Sequence, residues 1–569
     1  MKKILFSFLF GTILFAASSV KAITVGDMAV FSIESSYDTN QRSQVLASLQ
    51  KISSNAYFYI DNNWWKSLDF GQQSEVFKNL DKLAGEFDSR IYPILTQTYG
   101  QEWSPGIDND SRVTILIHQM KDDARGYFNS ADEYLKSQIS TSNEREMIYL
   151  NANIVNDPGT KNYLAHEFVH LITFYQKEKK YNVIEETWLA EARAEYASTI
   201  LGYDNDYETS NIKVRIKNFM DSKFDSLTEW RGQVFDYGVL NLFTQYLVDQ
   251  YGVKILADSL NSASTGIISV NYALLKNGFS EDFSNIFTDW TIAIYLNDCS
   301  VNLKYCYKNQ NLKNFRVTPI TNFLPLTGPT TLSTTNRTKD WAGNWIKFAG
   351  GRGTLNVEFN SGATSRFKIP YIIEEIGSKP RIEFLNLNNL GQGKISLYDL
   401  GFKTLSVTFI PSSQMKNSDF NESEPFYSFS WVVSTTGVEE NPTPIPSLTP
   451  IPNPNIEQLL LQIDALKKEI VRLQVLLANI QKPSSNNQVS CKTFNSDLYL
   501  GLKNDEVRCL QEFLRAQGVN IYPEGIISGG FFNMTFEAVK RYQSKKGIVQ
   551  TGYFGTTTRQ VANQDLTIK

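Results

Sequence analysis

Histidine is scarce in this chain, with 3 in 569 residues, so any site built on imidazole has to be compact. Cysteine is nearly as rare, and the first of the 4 is Cys299. That position excludes a lipid-modified cysteine at the N-terminus. No CxxC spacing occurs and no histidine lies near a cysteine, which argues against a structural zinc ribbon. Neither charge sign dominates: 55 Lys and Arg face 59 Asp and Glu, for a net charge of -4. Without a basic field, nucleic acid is excluded as a partner. Beyond the first two dozen residues, no run is long and apolar enough to span a bilayer.

Hydrophobic residues make up 42% and aromatic residues 13% of the chain, values suited to several globular domains. At this length one hydrophobic core is not enough. The N-terminus reads Lys2-Lys3, an apolar run from Ile4 to Ala17, and then small and polar residues to Ala22. That pattern predicts a cleaved signal peptide over 1–22, with a membrane anchor as the alternative. The chain is therefore expected to be secreted, extracellular or cell-wall associated, with no membrane span once the signal is removed. The cysteines fall into two local pairs, Cys299 with Cys306 and Cys491 with Cys509, and an exported chain predicts a disulfide in each.

Composition divides the rest. Residues 23–315 mix helical and strand patterns and hold all three histidines. Residues 316–437 carry short alternating runs such as Leu405-Ser406-Val407-Thr408-Phe409, the pattern of an all-β sandwich, with Trp341 and Trp345 read as core. Residues 438–455 are a proline-rich spacer. Over 456–482 apolar residues recur in an a/d heptad from Ile456 to Ile480, predicting a coiled-coil helix that can pair two chains. A lone amphipathic helix is the alternative. Residues 491–565 contain an internal echo, Gly530-Phe531-Phe532 and Gly552-Tyr553-Phe554, each followed by a threonine suited to N-capping and then a helix. With the Leu510-Gln511 pair and the helix around Ala538 to Gln543, this segment resembles the small three-helix peptidoglycan-binding domain. The resemblance implies peptidoglycan as a partner.

The chemistry is concentrated in His166-Glu167-Phe168-Val169-His170, an HExxH motif with apolar flanks. On a helix, residues four apart share a face, so both imidazoles can reach one zinc ion. Glu167 is placed to accept a proton from a zinc-bound water. The other reading of the motif is a pair of core histidines. A catalytic zinc takes a third protein ligand. Glu191, in Trp188-Leu189-Ala190-Glu191-Ala192, is the expected one, and Glu186 is the alternative. Glu195, one turn further on, can accept the second ring N–H of a ligating histidine.

The paired motifs resemble those of the gluzincin metallopeptidases, and most of all the hyicolysin-type neutral peptidases. The resemblance implies a zincin-like α+β catalytic domain with zinc on His166, His170 and Glu191 and with Glu167 as base. One departure is Ala190-Glu191-Ala192 where many relatives carry Asn-Glu-Gly. Members of the clan stabilise the oxyanion with a Tyr or His from a later helix. Tyr237 is the best match, a helix-start core aromatic being the other reading, and His118 fits poorly. Glu146 to Asn151 reads as the edge strand that would pair with an extended substrate, with Gly126-Tyr127-Phe128 near the same cleft. The expected function is that of a secreted zinc endopeptidase acting on protein substrates and tethered to the wall. The alternatives are a peptidoglycan stem-peptide hydrolase and an inactive wall-associated adhesion or scaffold protein.

Overall fold

The structure, a computed structural model, describes residues 23–363, 366–420, 423–437, 493–499, 501–523 and 525–567. The predicted signal peptide, proline spacer and heptad helix, and Cys491, lie outside the described residues. The chain forms a mixed α/β protein of two compact units, divided between Asn441 and Pro442. No helix among the described residues is long and apolar enough to cross a membrane.

The first unit opens on a six-stranded sheet made of β1 (Met28–Ser32), β2 (Gln44–Ile52), β3 (Ala56–Asp61), β4 (Val113–His118), β5 (Gly126–Phe128) and β6 (Met147–Asn151). Their order is β1-β2-β3-β4-β6-β5. The central strands β3, β4 and β6 run parallel, while β5 pairs antiparallel with β6. Side chains alternate across the sheet. Phe58, Ile60, Ile115, Ile117, Ile148 and Leu150 therefore enter the helical core. Tyr57, Tyr59, Leu116, Met147 and Tyr149 form a second apolar layer under β1 and β2. Burial on both faces explains why these three strands are so continuously apolar.

The sequence reading of Glu146 to Asn151 as an edge strand is corrected here. β6 has β4 on one side and β5 on the other, and β5 is the edge. Three residues are too short a run to announce a strand by alternation.

Between Ile320 and Thr435 a second set of strands follows. Five of them, Ile320–Leu324, Ile346–Gly350, Thr404–Phe409, Pro370–Glu375 and Arg381–Phe384, pair in that order. Four more, Gln392–Leu400, Gly353–Asn360, Tyr427–Thr435 and Thr330–Thr338, form a second run. A single register pair, Leu400 with Thr404, joins the two. They share an apolar core around Phe348, Phe359, Phe409 and Trp431. Trp341 and Trp345 are buried in the helical core, and their ring N–H groups donate to the carbonyls of Lys416 and Thr291. Cys299 and Cys306 form a disulfide.

In the second unit three short helices, Asp505–Ala516, Asn533–Lys545 and Thr556–Thr567, enclose their own core of Leu510, Leu514, Phe531, Val539, Tyr542 and Phe554. Cys509 is disulfide-bonded.

Buried Gln511 donates to the Gly530 carbonyl and to Thr535 Oγ1 and accepts from the Ser528 and Gly529 amides, all within 2.8–2.9 Å. Gln543 repeats the pattern on the Tyr553 carbonyl, Thr558 Oγ1 and the Gly552 amide. These contacts equate Gly529 with Gly552 and Phe531 with Phe554, one residue off the register that the Gly-aromatic-Phe echo suggests. They also correct the capping role of the threonine. Phe532 is the N-cap of the helix from Asn533, with no side-chain cap, and Thr535 sits inside the first turn bonded to Gln511.

Candidate metal centre

The helix Thr160–Phe174 carries the HExxH motif, and its neighbours Leu164, Ala165, Phe168, Val169, Leu171 and Ile172 are buried. With so much of the helix inside the core, the two histidines on its remaining face have one direction in which to point. The helix Thr187–Ile200 packs beside it and carries Glu191 and Glu195. A buried network seats this second helix. Arg193 pairs with Glu185 at 2.7 Å, and the Lys177 ammonium lies 3.5 Å from the same carboxylate.

The structure brings His166, His170 and Glu191 together. The two imidazole Nε2 atoms lie 3.2 Å apart. Glu191 places Oε2 3.2 Å from His166 Nε2 and Oε1 3.6 Å from His170 Nε2. Glu191 Oε2 is buried and has no hydrogen-bond donor. Tetrahedral zinc with ligand bonds of about 2.0–2.1 Å requires donor atoms about 3.3–3.4 Å apart. The three spacings bracket that value, so the donor set fits a zinc ion both in chemistry and in size. Among the described residues this is the one group of three that could hold a metal. Glu186, the alternative ligand, is instead held by the Trp188 indole at 2.7 Å.

Glu195 faces the other side of His166, 3.5 Å from Nδ1. It is clamped by Arg215 through two 2.7 Å bonds and by Asn211 at 2.8 Å. Burial opposes its ionisation, but the Arg215 guanidinium and His166 outweigh that cost and hold the carboxyl well below its usual range. A fixed anion at Nδ1 keeps that nitrogen protonated and leaves the Nε2 lone pair directed at the shared point. Glu191 is likewise lowered: burial works against the charge, and the two imidazoles overcome it. The Glu167 carboxyl is raised by burial, with the neighbouring histidines opposing.

Tyr237 lies at the start of the helix Val234–Tyr251, its ring 6.4 Å from that of His166. The Arg215 guanidinium sits 4.5 Å over the Tyr237 ring and Trp230 packs edge-on at 4.9 Å. Burial pushes its hydroxyl far up, as do Glu191, Glu195 and Glu167, so it stays a protonated donor. His118 is elsewhere: fully buried at the end of β4, 3.5 Å from Asp38, with burial lowering its pKa to about 4.

Two contributors, Arg215 and Tyr37, were not found by sequence reasoning. Arg215 comes from the helix Asn211–Asp221 and shares no spacing with the motif. Gly126, expected near the cleft from the sequence, lies on the edge strand against Glu167. A Cβ placed there would meet the Tyr149 carbonyl oxygen at 2.8 Å and Glu167 Cγ at 3.1 Å. Tyr37, from the loop between β1 and β2, stacks on Tyr127 at 4.9 Å. Its pKa is raised by burial and by the charges of Glu167, Glu34 and Glu191. None of these contacts is local in sequence.

Residues 503–561 match a family described as a putative peptidoglycan binding domain. No curated protein matches the chain. Among solved structures, the mitogen from Yersinia pseudotuberculosis is 11% identical, covering 22% of this chain and 99% of its own, at a TM-score of 0.14. A periplasmic inhibitor of g-type lysozyme from Aeromonas hydrophila is 15% identical, covering 20% and 95%, at 0.14. The M60 catalytic domain with two CBM51 domains from Clostridium perfringens ZmpB is 7% identical, covering 68% and 59%, at 0.22. At such scores these likenesses carry no argument about the reaction.

Proposed function

We propose that this chain is a zinc-dependent endopeptidase held at the cell wall by its C-terminal domain. The observation that carries the reading is the convergence of His166 Nε2, His170 Nε2 and Glu191 within 3.2–3.6 Å of one another, with Glu167 beside them on the same helix. Zinc, when bound there, supplies Lewis acidity and lowers the pKa of water.

The chain's own residues do the rest. Glu167 takes the proton of the attacking water and returns it to the leaving amine nitrogen. Glu195, fixed by Arg215, holds His166 in one tautomer. The Tyr237 hydroxyl donates to the oxyanion that develops on the scissile carbonyl. The edge strand β5, lying against Glu167, offers its outer edge to an extended peptide. The peptidoglycan-binding match over 503–561 supports retention at the wall and favours one second reading, cleavage of peptidoglycan stem peptides.

Zymography on casein and on purified wall separates these readings. Chelator-sensitive clearing of casein is expected. Clearing of wall alone would move the substrate to the stem peptide, and no clearing of either would leave a non-enzymatic protein.

A further inference from the structure

In the second unit, Leu498 and the stretch Gly501 to Lys503 bond to the two equivalent turns. Leu498 exchanges both backbone hydrogen bonds with Phe554, at 3.1 and 2.9 Å. Gly501 donates to the Phe531 carbonyl, and the Phe531 amide donates to Leu502, both at 2.8 Å. Leu498, Phe531 and Phe554 point into the core. Their neighbours therefore face outward, and Tyr499, Phe532 and Tyr553 remain 51%, 44% and 44% exposed.

These rings are positioned. The planes of Tyr499 and Tyr553 lie within 24° of each other, with centroids 6.4 Å apart. The Tyr553 hydroxyl donates to Asp497 at 2.8 Å, and Asp497 is also paired with Arg559. The Lys503 ammonium sits 5.3 Å from the Phe532 ring. Large exposed aromatics fixed in place, with polar groups around them, are the signature of a recognition surface. Near-parallel rings suit a ligand that is itself a flat, C–H-faced ring with polar groups at its rim. A pyranose has that shape, whereas a flexible peptide does not require it.

We propose that the face formed by Tyr499 and Tyr553, flanked by Phe532 and Lys503, binds the glycan backbone of peptidoglycan, its N-acetylated sugars stacking on the tyrosines. This inference rests on the reading of the domain as a wall binder.

Co-sedimentation of the full chain with purified peptidoglycan tests it. The wild type and a Val519→Ala control, altered at an exposed apolar residue, should sediment. Tyr499→Ala, alone or with Tyr553→Ala, should lose retention at least tenfold, and Tyr499→Trp should keep it. Glycan strands stripped of stem peptides should compete, and free stem peptides should not. If the wild type stays in the supernatant, the wall reading falls and this inference with it. If the wild type sediments and the tyrosine variants sediment equally, the wall reading stands and the glycan face is wrong. Loss in Tyr499→Trp as well as Tyr499→Ala, or competition by stem peptides alone, would also overturn it.

Discussion

Two buried polar clusters, one in each unit, treat hydrogen bonding in opposite ways. Around Gln511 and Gln543 the side-chain amides find turn amides, carbonyls and threonine hydroxyls, so the cluster is closed on itself. Around Glu191 three potential ligand groups converge: two Nε2 atoms and a carboxylate meet, and Oε2 makes no hydrogen bond. A satisfied buried network fixes a fold. Converging lone pairs cost free energy unless a proton or a metal cation joins them. The first arrangement is structural, and the second is the one we propose holds a metal.

Substitutions can break that contrast, beginning with the largest effect. Glu167→Gln keeps the ligand set but cannot take a proton, so turnover should fall by about 10²–10⁴-fold with metal content unchanged. Equal loss of metal and activity in steady-state kinetics and metal analysis would reassign the residue. Tyr237→Phe should lower kcat by about 2–4 kcal/mol of transition-state stabilisation with little change in KM. An unchanged kcat would make Tyr237 a packing residue.

On the structural side, Gln543→Leu strands the Gly552 amide, the Tyr553 carbonyl and the Thr558 hydroxyl. It should destabilise the C-terminal unit by about 2–4 kcal/mol in denaturant melts while the proposed peptidase activity of the first unit is unchanged.

A third buried cluster sharpens the contrast through pH. Glu133 is raised by burial and by the facing Glu146, and Glu146 is pushed up to about 7, burial again leading. Both Glu133 oxygens lack a donor. A carboxyl whose folded pKa is raised contributes stability that is complete below its unfolded value near 4.5 and is lost as pH rises through about 7. Glu133→Gln should therefore flatten this fall and raise stability at pH 8 by about 1–2 kcal/mol, measured by melting temperature across pH. An unchanged pH profile would show that the pair does not share a proton.

Much of the centre could be read from sequence because its geometry is local. The i, i+4 spacing of His166 and His170 sets one helical face, and Glu191 lies on the next helix. The surrounding shell could not be read that way. Arg215 reaches Glu195 across 20 residues, and Tyr37 approaches from the loop between the first two strands. The edge strand was misassigned because β5 is three residues long and pairs with β6 across an intervening loop. In the C-terminal unit, adjacent aromatics at Phe531 and Phe532 leave the repeat register ambiguous. Only the glutamine contacts resolve it.

The central claim is that the converging acceptors form a zinc centre. Metal analysis of the purified chain beside a His166→Ala, His170→Ala variant tests it most directly. One zinc per wild-type chain is expected, removed by a chelator together with peptidase activity and restored by added zinc, and none in the variant. Stoichiometric metal surviving in the double variant would contradict it.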